Sequence, residues 1–308
     1  MRVLITGGAG FIGSHLVEYL QADDEITVLD DLRTGSPANL SHLNCRFLQG
    51  SVLNPEILEV ACREVDQVYH LAALVSVPES MAAPELCVDI NVTGTLRVLA
   101  AAKKAGAAKV VIASSAAVYG DNPLVPKYET MPPEPRSPYA MTKLDGEFYC
   151  DLFDREHGLP TASLRFFNVF GPRQNPKSAY AAAVPIFIEK ALRGEPLTIF
   201  GTGHQTRDFI YVKDIVSAIA YAGRSEGVRG VFNVGYGSST SVLELAQQVL
   251  KCVDSRSSIE YQPPRIGDVM HSVASSAKLM EAGWRPQYSV PEGLSQTVAS
   301  FQAAQGGH

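Results

Sequence analysis

The chain has 308 residues, 46% hydrophobic and 19% charged, enough to bury a full core as one large or two modest domains. A net charge of -6 supplies no general basic field, which argues against nucleic acid or an anionic membrane as the main partner and leaves any anionic ligand to a few local arginines. Cys45, Cys62, Cys87, Cys150 and Cys252 are scattered, with no Cys-x-x-Cys and no nearby histidine pair, so no metal site is expected.

From the start to residue 170, β-branched runs at Val3 to Thr6, Ile26 to Asp30, Arg46 to Leu48, Val65 to Leu71, Lys109 to Ile112 and Thr161 to Phe166 alternate with helical patterns. The clearest helices are Ile12 to Gln21, Glu85 to Lys104 and Tyr139 to Glu156. That alternation predicts an α/β protein with a parallel sheet covered on both faces. Proline-rich Pro123 to Pro138 reads as an ordered loop feeding the Tyr139 helix.

Residues 171–308 carry a looser pattern: a helix at Ala183 to Arg193, a strand at Leu197 to Phe200, the segment Arg207 to Val212, helices at Ile215 to Ala222 and Val242 to Cys252, and a strand at Val231 to Val234. This is little material for an independent core, so a smaller substrate-binding lobe is expected, partly built from segments that return to the first domain. Substrate is expected between the lobes. The tail Gln302 to His308 reads as frayed. With no leader ahead of the first strand and no apolar run near the ~20 residues that span a bilayer, the expected location is cytoplasmic.

Gly7, Gly10 and Gly13 follow the first strand and open the first helix, a context that gives a tight turn, close approach of a pyrophosphate, and a helix N-terminus aimed at its charge. Asp30 ends the second strand 23 residues past Gly7, where a carboxylate can accept from the adenosine ribose and repel a 2'-phosphate. The reading is therefore a Rossmann-like doubly wound sheet over residues 1–170, binding NAD rather than NADP. Arg33 could in principle hold a 2'-phosphate; otherwise Asp31 and Arg33 are a solvated strand end. Tyr139 and Lys143, four apart on a helix, suggest hydride chemistry with a built-in acid/base, the ammonium favouring the phenolate.

The ordered motifs Thr6-Gly-Gly-Ala-Gly-Phe-Ile-Gly13, His70-Leu-Ala-Ala73, Asn91-Val-Thr-Gly94, Ser114-Ser-Ala-Ala-Val-Tyr-Gly120, Ser137 to Lys143, Arg165 to Pro172, Arg207 to Val212 and Arg265-Ile-Gly-Asp268 run almost end to end. They resemble the extended short-chain dehydrogenase/reductase family, and within it the nucleotide-sugar 4-epimerases. The resemblance implies that Ser115, Tyr139 and Lys143 are catalytic. It implies NAD contacts from Phe11, Ile12, Asp31, Thr34, Gly35, Ser51 and Val52, and from Leu71, Ala72, Ala73, Asn91 and Phe167. For a UDP-sugar it implies Arg207 and Arg265 on the diphosphate, Asp268 on the ribose, Phe200 near the base and Asn168 on phosphate or sugar, with Ser76, Val184 and Ser272 also in the pocket. Two arginines provide planar donors suited to phosphate oxygens. His70 reads as structural, and a homodimer formed by the Glu85 to Lys104 and Tyr139 to Glu156 helices is implied by the family.

Within the family, dehydratases and uronate decarboxylases carry an acid just after the Ser/Thr of the serine motif. Here those positions are Ala116 and Ala117, which cannot shuttle a proton, so the remaining programme is oxidation at C4, rotation of the 4-keto sugar and return of the hydride to the other face. In the 4-epimerases the residue four beyond the Gly-Asp aspartate gates the pocket, with a tyrosine in those that resemble enzymes restricted to plain hexoses; the small Ser272 at that position implies room for a 2-acetamido group, so UDP-GlcNAc/UDP-GalNAc and/or UDP-glucose/UDP-galactose are expected substrates. A uronate 4-epimerase, whose usual threonine is Asn168 here, ranks lower, as does a 4-reductase consuming external NADPH. A non-catalytic dinucleotide sensor ranks lowest, because Ser115, Tyr139 and Lys143 are intact. Ser51 replaces the aspartate common at the adenine amino group.

Overall fold

The structure is a computed structural model and describes residues 1–176, 182–264 and 269–306. Its first half runs β1 (Arg2–Thr6), α1 (Phe11–Leu20), β2 (Glu25–Asp30), β3 (Arg46–Gln49), α2 (Pro55–Ala61), β4 (Gln67–His70), α3 (Val77–Ala82), α4 (Pro84–Val88), α5 (Gly94–Ala105), β5 (Lys109–Ser115), α6 (Pro138–His157) and β6 (Thr161–Phe166). The second half runs β7 (Asn168–Phe170), α7 (Ala183–Leu192), β8 (Leu197–Phe200), β9 (Thr206–Arg207), β10 (Phe209–Tyr211), α8 (Val212–Arg224), β11 (Gly230–Val234), β12 (Thr240–Ser241), α9 (Val242–Val253), β13 (Ile259–Gln262), β14 (His271–Ser272), α10 (Ala277–Glu281) and α11 (Val290–Gly306).

Seven parallel strands form the central sheet in the order β11-β6-β5-β4-β1-β2-β3. The chain reverses direction of travel between β1 and β4, which opens a crevice at their carboxyl ends, where doubly wound sheets bind ligands. One face is covered by α1 and α8 through Leu16, Val17, Ile215 and Ile219, and the other by α2, α5 and α6 through Leu58, Val98, Leu99 and Phe153. Because β11 pairs with β6, the chain returns to the sheet after building β7 to β10 outside it.

Segments from Phe170 onward build a third apolar cluster, against which Phe11 and Ile12 of α1 also pack. Val184, Phe187 and Ile188 of α7 and Leu245 and Val249 of α9 meet Val290, Leu294 and Val298 of α11. That last helix is not among the expected elements, although Ser289 to Glu292 has the spacing of a capping box at its start; it extends to Gly306, and the expected frayed tail is helical over most of its length.

The expected helix Glu85 to Lys104 is interrupted by a π-helical turn at Asp89–Thr93. The wider turn buries Asn91, whose amide accepts from Leu74 N at 2.7 Å and donates to Leu74 O at 3.0 Å and Thr142 Oγ1 at 2.9 Å. α6 begins at Ser137, whose hydroxyl accepts from Ala140 N at 3.2 Å, with Pro138 in the first turn, where its missing N–H has no helical partner to lose.

Candidate active site

The glycine turn is dictated by crowding. Gly7 has φ 71° and donates to Leu29 O at 2.8 Å, and a Cβ on it would lie 2.7 Å from Ala72 N. A Cβ on Gly13 would collide with the Gly7 carbonyl oxygen, so α1 can lie against the turn only without one. Gly10 starts α1 with no side-chain cap, leaving its first amides available to an anion in the cleft. At the end of β2, Asp30 accepts from Ala9 N at 2.9 Å and Leu32 N at 2.8 Å, while burial raises its carboxyl above the ordinary value. These features fit a dinucleotide pyrophosphate and ribose.

A cleft of about 1320 Å³ runs from this turn across the sheet ends to the second lobe. The expected cofactor residues Phe11, Ile12, Asp31, Thr34, Gly35, Ser51, Val52, Leu71, Ala72, Ala73 and Phe167 line it. So do Ser76, Ser115, Tyr139, Lys143, Asn168, Val184, Phe200 and Arg207. Asn91 instead lines a separate void of about 10 Å³ behind Lys143, together with His70, Thr142 and Ala113. His70 bridges Thr6 Oγ1 at 2.7 Å and Thr95 Oγ1 at 3.0 Å, and burial pushes its imidazole down to about 3, so it is a neutral structural group.

Ser115 ends β5, and Tyr139 and Lys143 stand one turn apart on α6. Lys143 Nζ lies 5.8 Å from the Tyr139 ring centroid and donates to Ala113 O at 2.8 Å. Burial pushes the ammonium down to about 8. Burial also raises the Tyr139 phenol, with hydrogen bonding from Ser115 acting the other way. Both groups lose hydration on α6, which works against the charged form of each.

Beneath Tyr139 and Lys143 lies a buried polar network. Arg165 donates to both carboxylate oxygens of Glu147, at 2.8 and 2.7 Å, and to Tyr119 Oη at 2.9 Å. Ser114 Oγ donates to Glu147 at 2.5 Å, and Tyr119 Oη to Asn233 Oδ1 at 2.7 Å. Glu147 is one turn beyond Lys143, and Ser114 precedes Ser115, so the network joins α6 to β5, β6 and β11.

Beside β7 and β10, Asn168 Nδ2 donates to Asp208 O at 3.3 Å, and Arg207 Nη1 donates to Thr206 O at 2.8 Å. Asp208 accepts from Tyr236 N at 2.9 Å, Gly237 N at 3.0 Å and Ala274 N at 2.9 Å, fixing two loops beside β9 and β10; its burial pushes the carboxyl up to about 6. Ser272 pairs in register with Arg207 but is not among the residues lining the cleft. Arg265 and Asp268 lie outside the described residues.

Sequence reasoning missed Glu79, Arg173, Gln174 and Lys190 on the cleft wall. Arg173, at φ 65°, donates from Nη2 to His15 Nδ1 at 2.6 Å and pairs with Glu18, contacts about 155 residues distant in sequence and invisible to a local pattern. Glu79 had a local signal, the Ser76-Val-Pro-Glu79 helix start. Asp30, Asp31 and Glu79 line the cleft near the glycine turn together with Arg33, and Arg173, Lys190 and Arg207 line it as well.

Residues 3–235 match the model of the NAD dependent epimerase/dehydratase family. A UDP-glucose 4-epimerase of Mycolicibacterium smegmatis is 39% identical over 98% of this chain and 99% of its own. Among solved structures, the UDP-N-acetylglucosamine 4-epimerase of Methanobrevibacter ruminantium in complex with UDP-N-acetylmuramic acid superposes with a TM-score of 0.95 at 38% identity over 98% of both chains. The Thermus thermophilus UDP-glucose 4-epimerase complex with NAD gives 0.92 at 40% identity, covering 99% of this chain and 100% of the other. Together with a glycine turn, an acidic strand end and a Ser115-Tyr139-Lys143 set on one cleft, these likenesses establish that the chain belongs to the NAD-dependent epimerase/dehydratase family.

Proposed function

We propose that the protein inverts C4 of a UDP-hexose, UDP-GlcNAc/UDP-GalNAc and UDP-glucose/UDP-galactose alike, through a 4-keto sugar. The observation that carries this reading is one continuous cleft that holds Ser115, Tyr139 and Lys143 between the glycine turn and Arg207, with Ala116 and Ala117 where an eliminating enzyme needs an acid. NAD, which the glycine turn and Asp30 would hold, would supply a hydride acceptor and donor for C4. Ser115 holds the C4 oxygen, and Tyr139 removes its proton in the first half and returns it in the second. Lys143, already drawn to Ala113 O, steadies the phenolate by its charge as that proton leaves. Arg207 holds the diphosphate and Asn168 the phosphate or sugar, and the 4-keto sugar turns about that anchor to offer its other face. Val184 and Phe200 supply apolar walls on the same side.

Proton NMR of purified protein with each UDP-sugar and no external reductant tests this: the C4 epimer should appear, and Tyr139→Phe should lower the rate by about 10²–10⁴-fold. Turnover only with stoichiometric NADPH would make the enzyme a reductase instead.

We further propose a homodimer that pairs α4 to α6. On α6, Met141, Phe148 and Leu152 are exposed at positions sharing one helix face, and Leu86 and Val88 are exposed on α4. Sedimentation of a dimer at micromolar concentration supports it, and a monomer under those conditions refutes it. No helix among the described residues is long and apolar enough to cross a membrane.

A further inference from the structure

Arg33 and Glu79 face each other from opposite walls of the dinucleotide half of the cleft. Arg33 belongs to the loop after β2, three residues past Asp30, and Glu79 to the first turn of α3; Arg33 Nη2 donates to Glu79 Oε1 at 2.5 Å, and both line the cleft. α3 in turn meets the start of the catalytic helix, where Tyr139 N donates to Ser80 Oγ at 3.2 Å. The pair therefore ties the adenosine side of the cleft to the wall beside Tyr139.

Glu79 forgoes a local partner to make this contact. Its position in Ser76-Val-Pro-Glu79 is that of a capping box, in which the glutamate returns to the N–H of the serine. Two other Ser-x-x-Glu starts in this chain close that box: Glu244 accepts from Ser241 N at 2.8 Å and Glu292 from Ser289 N at 2.8 Å. At α3 only the forward half forms, Glu79 N to Ser76 Oγ at 3.1 Å, and the carboxylate reaches 46 residues back to Arg33. An exposed ion pair adds little to stability, which leaves its place on the cofactor wall as the reason for it.

We propose that Glu79 is a cofactor-specificity residue: by holding Arg33 across the cleft, it withholds from the adenosine ribose a guanidinium that could receive a 2'-phosphate. With Arg33 neutralised, Asp30 and Asp31 leave that end of the cleft negative, and NAD is favoured. Arg33 thus acts as a latent phosphate receptor that its partner keeps occupied. The inference concerns the dinucleotide alone and stands whichever sugar the second lobe binds.

Calorimetric titration of cofactor-stripped protein with NAD⁺ and with NADP⁺, without turnover, tests it. Glu79→Gln keeps the helix start and removes the charge, and should shift the NADP⁺/NAD⁺ affinity ratio toward NADP⁺ by about tenfold at low salt, less at high salt. Adding Arg33→Gln should abolish that gain, while NAD⁺ binding by the same variants reports an intact fold. A ratio within about twofold of the wild type for Glu79→Gln, or a gain that survives in the double variant, overturns the proposal.

Discussion

Arg165 and Glu147 meet beneath the helix of Tyr139 and Lys143 with side chains 5% and 4% exposed, whereas Arg33 and Glu79 meet at the cleft wall with 34% and 33% exposed. The chemistry of the two contacts is the same and their surroundings are opposite. The buried pair is bidentate, and Ser114 and Tyr119 satisfy its remaining groups, so its desolvation is compensated only while every member is present. The cleft-wall pair stays in contact with water, has a single hydrogen bond between its partners, and contributes less to stability. In the proposed mechanism the first would set the geometry of Tyr139 and Lys143, and the second would select what binds.

Stability measurements can break this contrast. Arg165→Met leaves Glu147 as an unpaired buried charge and should cost about 3–5 kcal/mol in urea denaturation. Glu79→Gln should cost less than about 1 kcal/mol in the same assay. Comparable losses would show that burial does not separate the two roles.

Lys143 gives an intermediate effect with a defined sign. Its ammonium sits at about 8 in the folded protein against an ordinary 10.5, so between those values the unfolded chain holds more protons. The buried charge costs stability below pH 8, and that cost is relieved as pH rises through the window. Relative to Lys143→Met, the wild type should gain on the order of 2 kcal/mol between about pH 7.5 and 10.5, less whatever the Ala113 hydrogen bond returns. A flat difference would mean that the lysine is fully solvated, and a falling one that its charge is stabilised in the fold.

What could be read from the sequence was whatever lies close along the chain. Gly7 to Gly13, Asp30 at a strand end, and Tyr139 four before Lys143 each carry their meaning within one turn or one βαβ unit, and the structure places all of them on one cleft. Other features depend on partners far away. The π-helical turn at Asn91 answers to Leu74 and Thr142, Asp208 gathers loops up to 66 residues distant, and α11 shows its apolar face only against α7 and α9. Glu79 shows the limit most plainly, since its local signal names a capping box and its actual partner is Arg33.

The central claim is that hydride leaves and returns to C4 within one cleft. The most direct test is proton NMR of UDP-GlcNAc and UDP-glucose turned over in D₂O, with no external reductant. The account predicts a C4 epimer that carries protium at C4 and C5. Solvent deuterium at C4 of the product, or no epimer from either sugar even after NAD is added, would contradict it.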